Sequence, residues 1–538
     1  MALQTSGAIT LDQIHIEVGG SSGSSATIND ADIRALIGKS DGATAAFNEW
    51  YGASSVGYWA HAYAKGVIDD TGDEYPNSYQ SMRYAMGALW YDSTNNYLYA
   101  AAIGAASSST DQRSGVFFKI NLDDGQINMH KGVDHAGGGV RVNGAFSFHG
   151  NNIVAVSSTK VIISGDTYNI NTISGQARTA LTTPFTLNHS NNTVSTANNS
   201  QAHFLFTYPS TGALLNMGGG DRDYGGINYF GGYVWYFGQH GTGVSGTDIA
   251  NNGFISSSDT SLGSLVTRNY RTSNNGGACI FHKVIENGSG GFAMCASGGF
   301  IGTGSQSSGT PGNITFKQYD VFTEIIDIAR DGSGNFYASG YISGSHGFIA
   351  KFNSSCDVQW ARKIAVTSGH YMKLGSIAVQ AGGDIIVAGV ETNFEATAQG
   401  MQVLSFNSSG TIQWQKQIYY SINNSSTKQA RLSWLHNQGT WYQKSCMCLG
   451  PSDSIILSYR HAVVSLHGDG STANTSSANW SIQGSSRTIS TISTSADVSG
   501  TLLAKTELSF TAQGGLGTPN ASGSSYTEEA DESLALSD

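Results

Sequence analysis

A phrase that recurs at near-regular spacing constrains this chain more than any other feature: an apolar strand, a small-residue turn, then a strand that ends in Trp or an aliphatic residue. Its clearest copies are Gly347-Phe348-Ile349-Ala350-Lys351-Phe352-Asn353-Ser354-Ser355-Cys356-Asp357-Val358-Gln359-Trp360 and Met401-Gln402-Val403-Leu404-Ser405-Phe406-Asn407-Ser408-Ser409-Gly410-Thr411-Ile412-Gln413-Trp414. Weaker copies begin at Gly115, Ala202, Gly253, Gly299 and His461, so consecutive starts lie 87, 51, 46, 48, 54 and 60 residues apart. A second hairpin phrase, best seen from Ile326 to Gly340, lies between the starts. Two hairpins make four strands, and a period of about 40 to 50 residues is that of a propeller blade. A blade cannot bury both faces alone, so neighbours must stack around an axis. The expected fold class is all-β: a seven-bladed β-propeller, with eight blades as the next choice. A sandwich is the plain competitor, but sandwiches do not repeat one hairpin pair at such spacing.

Composition agrees with many strands and tight turns. Charged residues are 12% of the chain against about 25% in ordinary soluble proteins. Gly is 69 of 538 residues and Pro only six, which excludes collagen, a Pro-rich linker and a charge-rich disordered chain. The formal charge is 27 − 38 = −11, with no Lys/Arg run, so nucleic acid is not an expected partner. Met1 to Thr10 has neither the basic nor the apolar region of a signal peptide, and no apolar stretch is long enough to span a bilayer. The expectation is a product made in the cytoplasm without membrane insertion. Cys279, Cys295, Cys356, Cys446 and Cys448 are too few and too scattered for a disulfide framework, so reduced and mostly buried thiols are expected.

A closed ring needs a closing strand. Gly57-Tyr58-Trp59-Ala60-His61-Ala62-Tyr63 is similar to the repeat strand at Trp360-Ala361-Arg362-Lys363-Ile364 and could complete a blade begun by the last repeat. The β-rich segment from Trp480 to Phe510 could do so instead, and the sequence leaves both open.

Patterns with catalytic associations do not have the context their chemistry needs. Gly19, Ser21 and Gly23 spell a nucleophile elbow inside a Gly/Ser spacer, and Gly241, Gly243 and Gly246 spell a dinucleotide fingerprint without a βαβ unit. Gly38-Lys39-Ser40 lacks the first glycine of a phosphate loop. Cys446 and Cys448 share one face of a strand with no second ligand pair, which reads as packing. His130, Asp134 and His135 read as a solvated glycine-rich loop, and Asp331-Gly332-Ser333-Gly334-Asn335 reads as turn chemistry. No catalytic residue, metal or cofactor is expected, and the chain is not expected to be an enzyme.

Recognition is the better prospect. From Tyr419 to Lys444 the strand pattern is interrupted by an aromatic and basic stretch that contains Tyr420, Lys428, Arg431, Trp434, His436, Trp441 and Tyr442. Arg431, Trp434, His436, Trp441 and Tyr442 are the candidate receptor-binding residues, because such groups suit sugar rings or a protein hot spot on a rigid scaffold. Packing of an extra strand pair by Trp434 and Trp441 is the alternative. A second insertion, roughly Ser164 to Gln201, is rich in Asn, Ser and Thr and could be a binding loop or a subunit contact.

The stretch from Asp331 to Ile364 resembles the β-propeller repeat of many bacterial and phage proteins, with Cys356 in place of the turn Gly. The first 55 residues carry a different likeness. Ser6-Gly7-Ala8-Ile9-Thr10-Leu11 is followed by Ile14 and Glu17, then Asn29-Asp30-Ala31-Asp32-Ile33-Arg34-Ala35-Leu36, then Gly42-Ala43-Thr44-Ala45-Ala46-Phe47 and Trp50-Tyr51-Gly52. This order resembles the N-terminal module of tail, baseplate and fibre-like virion proteins in marine, cyanophage-like tailed bacteriophages, although GATAAF departs from the second SGAI-type strand. The resemblance covers about a tenth of the chain. Asn29 or Asp30 is the expected N-cap of a short helix. Ile9, Leu11, Ile14, Ile33, Leu36, Phe47, Trp50 and Tyr51 are the candidate docking residues, since so short a unit buries little by itself. An ordinary cap on the first blade is the plainer alternative.

The resemblance implies a structural protein of a tailed-phage virion, in the tail or baseplate, present in multiple copies of a symmetric assembly. Its implied partners are other virion proteins and a host surface glycan or protein. A capsid-surface decoration or a glycan-cleaving propeller enzyme are the alternatives. The expected division is residues 1–55 as docking module, 56–515 as propeller and 516–538 as an acidic C-terminal tail.

Overall fold

The computed structural model describes residues 9–18 and 22–30, isolated positions from 33 to 50, and then most of 59–65, 85–105, 113–134, 153–167, 202–208, 215–216, 222–240, 253–270, 280–420, 447–506, 520–522 and 528–535.

The hairpins begin with turn chemistry. Asp331 Oδ1 accepts the backbone N–H of Ser333 and Asn335 at 2.9 and 2.8 Å. Asn353 does the same for Ser355 and Asp357, Asn407 for Ser409 and Thr411, and Asn287 for Ser289 and Gly291. A short amide or carboxylate thus satisfies two backbone donors that no ladder could reach. The fourth residue of each turn is left-handed, with φ of +80° at Gly290, +84° at Gly334, +62° at Cys356 and +77° at Gly410.

These hairpins join into seven antiparallel sheets among the described residues. In chain order, sheet 1 has inner strands Ala85–Asp92, Tyr97–Ala105, Arg113–Asn121 and Ile127–Asp134, and sheet 2 has Ile153–Ser157, Lys160–Thr167, Ala202–Tyr208 and Leu215–Asn216. Sheet 3 runs from Arg222–Phe230 through Tyr233–His240 and Gly253–Ser258 to Leu265–Tyr270. Sheet 4 has Phe281–Glu286, Phe292–Ala296, Phe300–Ser307 and Thr310–Gln318, and sheet 5 has Phe322–Arg330, Phe336–Ile342, His346–Phe352 and Val358–Ile364. Sheet 6 has His370–Val379, Ile385–Asn393, Ala398–Phe406 and Ile412–Tyr420. Sheet 7 takes Met447–Leu449, Ile455–Tyr459 and Ala462–Leu466 from its own repeat and its fourth strand, Trp59–Lys65, from near the start of the chain. The first strands contact one another from sheet to sheet, which puts them innermost. The protein is an all-β propeller. Trp59–Lys65 is the closing strand, and the segment after Trp480 has another job.

The expectation of seven like blades is corrected to six sheets of one plan. Six sheets share a fuller plan than four strands, because each has a further strand outside its fourth. Sheet 2 departs from it, with four described strands, the last spanning only Leu215–Asn216.

The additional strands all come from the C-terminal segment, which passes round the ring against chain order. Trp480–Gly484 pairs with sheet 6, Ile489–Ile492 with sheet 5, Val498–Leu502 with sheet 4, Lys505–Thr506 with sheet 3, Asn520–Ser522 with sheet 1 and Glu528–Ala535 with the closing strand of sheet 7. Each pairing is antiparallel to a fourth strand, so the segment is a belt on the perimeter. Its apolar residues close the outer ends of the cores between blades. Ile482 joins the core of sheets 6 and 7, Ile489 that of 5 and 6, Ile492 and Ala496 that of 4 and 5, and Leu502 that of 3 and 4. Full burial of a side chain such as Ile482 contributes about 1.5–3 kcal/mol. Residues 520–522 and 528–535 of the acidic end are strands of this belt.

A tryptophan on the fourth strand of one sheet covers a turn of the next. Trp360 donates Nε1–H to Ser408 O at 3.0 Å, and Trp59 donates to Leu122 O at 2.9 Å across the ring closure. The turn glycine beneath has no room for a Cβ, which at Gly410 would lie 2.8 Å from Trp360 Cδ2 and at Gly470 2.5 Å from Trp414 Cδ2. Sheet 4 uses Lys317 and Tyr319 instead, which reach Asp357 Oδ1 and the Cys356 carbonyl. No indole of the described residues covers that turn, so Cys356 can keep a side chain and bury it in the adjoining core, where burial pushes its thiol up to about 12. Cys295 is also a buried thiol, and Cys279 lies outside the described residues.

Near the N-terminus, Thr10 and Gln13 form a capping box on helix α1 (Leu11–Glu17). Asp30 holds the expected N-cap position of the short helical turn at Ile33 and Arg34, since its carbonyl accepts the Arg34 N–H at 3.0 Å. Asp30 faces back to accept the N–H and hydroxyl of Thr27, at 2.7 and 2.6 Å, while Asn29 accepts from Arg34 Nη1. Thr27 and Asp30 thus close a turn just ahead of that helix start, where Asp30 N–H donates to the Thr27 carbonyl at 3.0 Å. Ile14, Ile33 and Trp50 are fully buried against Ile9, Leu11, Val18, Ala26, Ile28 and Ile37, and the Trp50 indole donates to Ile33 O.

Gly410→Ala is expected to lower stability by about 1–3 kcal/mol, because the methyl meets Trp360 and the φ is left-handed. Cys356→Gly should change it by less than about 1 kcal/mol, since relief of φ offsets the lost burial. Denaturant midpoints of the two variants check this, and equal losses would contradict the account of the Trp cover.

Candidate functional site

The inner strands are mainly apolar, so charged residues on them mark the site worth building. His282 and Lys283 stand near the start of the first strand of sheet 4, Glu324 and Asp327 on that of sheet 5, and Lys373 on that of sheet 6. The meander starts these strands at the ring face that also carries the connections between second and third strands. His282, Lys283, Glu324 and Lys373 therefore lie in the halves of these strands nearer that face, with Asp327 further along its own.

His282 Nε2 lies 3.8 Å from Glu324 Oε2, and Lys283 Nζ lies 4.0 Å from Asp327 Oδ1, so each pair joins neighbouring sheets. Asp327 is nearly buried and accepts the N–H of Ile328 and, across to sheet 6, the N–H of Ile377. That makes it a hinge pin between sheets 5 and 6. Tyr341 is the cross-strand partner of Glu324, and Lys373 Nζ sits 4.6 Å over its ring. Burial pulls Lys373 down to about 8, while the charge of Glu324 works the other way. Two carboxylates, an imidazole and two amines, one of them partly desolvated, can hold hydroxyl-bearing or charged ligands. No group of three or more His, Cys, Asp or Glu able to hold a metal is found among the described residues.

A second buried cluster lies in sheet 6. Glu391 is completely buried, and its carboxylate takes Arg487 Nη2 at 2.7 Å, Gln402 Nε2 at 3.1 Å and His370 Nδ1 at 3.3 Å. Arg487 belongs to the belt, and its backbone N–H and C=O are both engaged by the Gln415 side chain. Ser485, also on the belt, donates to Gln402 Oε1. This cluster ties three strands of one sheet to the belt, with every described partner of Glu391 a residue of that sheet or belt, so its role is structural.

The residues singled out by the sequence divide three ways. Arg431, Trp434, His436, Trp441 and Tyr442 lie outside the described residues, as do Leu36, Phe47 and Tyr51 of the docking set. Ile14, Ile33 and Trp50 come together with Ile9 and Leu11 in the small N-terminal core. His130 and Asp134 belong to the strand Ile127–Asp134 rather than a loop, while His135 lies outside the described residues. Asp331 is held by its turn: burial works to raise it, but hydrogen bonds led by Asn335 bring it below the usual carboxylate range. Cys448 packs at the core between sheets 7 and 1, and burial pushes its thiol up to about 12, while Cys446 lies outside the described residues. The sequence reading missed the cluster at the axis, although its signal was present as His, Lys, Glu and Asp inside runs such as FHKVIE and FTEIIDIA. No helix of the described residues is long and apolar enough to cross a membrane.

No family model matches the chain, and no curated protein matches it. Solved structures that match include a protein of unknown function from Bacteroides caccae, with 10% identity over 59% of this chain and 92% of that one, at a TM-score of 0.33. Saccharomyces cerevisiae Sqt1 matches at 9% identity over 70% and 83%, with a TM-score of 0.33. The WD40 β-propeller domain of Doa1 matches at 11% identity over 60% and 94%, with a TM-score of 0.31.

Lys373 gives a pH test. Below about pH 8 its ammonium is buried at a cost in the folded state, and between about 8 and the ordinary value of 10.5 the unfolded chain binds the extra proton. Stability due to this residue therefore rises with pH across that window. The difference in unfolding free energy between the wild type and Lys373→Met should shift in favour of the wild type from pH 8 to 10.5. Parallel pH profiles would count against the assignment.

Proposed function

We propose that this chain is a structural component of a tailed-phage virion, placed in the tail or baseplate, which docks through its N-terminal module and presents one propeller face outward for host recognition. The observation that carries this reading is the polarity of the ring. Trp59–Lys65 is a fourth strand, so the chain enters the ring at the face of the tight turns, such as 287–291, 331–335 and 407–411. The long connections 66–84, 135–152, 168–201 and 421–446 all join strand ends at the opposite face. A module that precedes Trp59 and an aromatic, basic connection between Tyr420 and Met447 therefore attach to opposite faces. That arrangement suits a protein anchored on one side and recognising a surface on the other. Sheet 2 is read as a seventh blade, supported by contacts of its first strand with the first strands of sheets 1 and 3.

A capsid-surface position uses the same polarity, and labelling this chain on intact particles separates the two: signal at the tail supports the proposal, and signal on the head overturns it. A glycan-cleaving role is favoured by one observation, the carboxylates of Glu324 and Asp327 beside His282 and Lys283 on the innermost strands. Reducing sugar released from host envelope glycan by the purified chain, and lost in Glu324→Gln, would establish it. For recognition, simultaneous truncation of Trp434, Trp441 and Tyr442 to Ala should abolish adsorption and leave particles assembled. Normal adsorption by that variant would show that the 421–446 connection is not the receptor-binding element.

A further inference from the structure

The closing strand of a propeller is ordinarily its weak seam, since the outermost strand of the last blade has one edge in the ladder and the other in solvent. Here the seam is stitched on both sides. Trp59–Lys65 pairs with Ala462–Leu466 on its inner edge, from Trp59↔Ser465 to Ala62↔Ala462. On its outer edge it pairs with Glu528–Ala535, from Trp59↔Ala535 through His61↔Ser533 to Lys65↔Glu528. The outer ladder is the longer of the two and spans the whole closing strand. Glu528–Ala535 is also the end of a belt already seated on sheets 6, 5, 4, 3 and 1.

We infer that the C-terminal strand Glu528–Ala535 is a retaining strap, which keeps the closing strand in the ring when the N-terminal segment ahead of Trp59 is pulled or displaced. A strand leaves an edge by breaking one ladder, and it leaves this position only by breaking two. Trp59 adds an anchor, through its hydrogen bond to Leu122 O and its cover over the Gly125 turn of sheet 1. The belt upstream holds the strap near its seat, so that it re-forms by an intramolecular step at high effective concentration. The inference stands whether or not the N-terminal module docks to a virion, because it concerns the seam alone.

The test is hydrogen exchange on the full chain and on a chain ending at Gly523. The expected result is that exchange at 59–65 accelerates by about tenfold or more in the shortened chain, while 336–352 in sheet 5 keeps its protection. Unchanged exchange at 59–65 overturns the inference. As a second variant, full-length Ser533→Pro with Leu534→Pro removes the one of two adjacent backbone donors that faces the closing strand opposite His61 and Ala60, and should loosen the same strand without loss of β-structure elsewhere. If both variants lose the whole ring instead of the seam, the strand is an integral part of the fold and the strap reading fails.

Discussion

Two-sided burial is the constraint on which this molecule depends. Sequences such as FYASGYI and HGFIAKF place buried side chains on both faces of a sheet, so each sheet needs a neighbour on either side. The buried clusters accordingly lie between sheets, with Ile325, Phe348 and Cys295 in one and Val403, Leu457 and Ile482 in another. An open stack would leave two apolar faces in water, and a ring leaves none. Closure is therefore forced by composition, and the strand that achieves it packs Trp59 with Leu89 and Ile120 of sheet 1 and with Ile456 of sheet 7. The belt follows from the same requirement, because cores between blades are open at the perimeter until something apolar seals them.

Much of this was legible in the residues. The alternation of hairpins, the Asx turns and the candidate closing strand at Trp59 could all be read, because each rests on a local pattern with a local physical cause. Cys356 also stood out as a departure from the turn glycine, and its explanation, a turn without an indole above it, is a contact between sheets that no local pattern carries. The belt was not legible. Strands such as TISTI and SGTLL are short and polar on one side, and their partners lie over a hundred residues away in reverse order. A ladder between distant segments leaves almost no trace in one sequence, because backbone groups make it and any residue but Pro supplies them.

The candidate site shows the same division. His282, Glu324 and Lys373 lie on separate repeats, and only the ring brings them together. Their apolar setting hid them, since a lone charge within a strand reads as an edge or a solvated position. The inner strands show otherwise: Asp327 is nearly buried and directs both oxygens to backbone donors of two sheets.

Register is the remaining problem for a belt made of short strands. A slip of two residues would keep each side chain on its face and most hydrogen bonds in place, so apolar contacts alone specify the belt weakly. Glu391 removes that freedom. Its carboxylate is completely buried, and a belt shifted by two residues would carry the Arg487 guanidinium away from it. Removing one partner from a buried pair costs on the order of 3–5 kcal/mol, more than a short strand gains from any single apolar contact. The Gln415 side chain engages both backbone groups of Arg487 and so steadies the chain at the point from which the guanidinium reaches Glu391. The pair adds little net stability over a hydrophobic substitute, but it strongly disfavours the wrong registers. From Arg487 onward, the positions of Ile489, Ile492 and Leu502 over successive cores follow from that one fixed point.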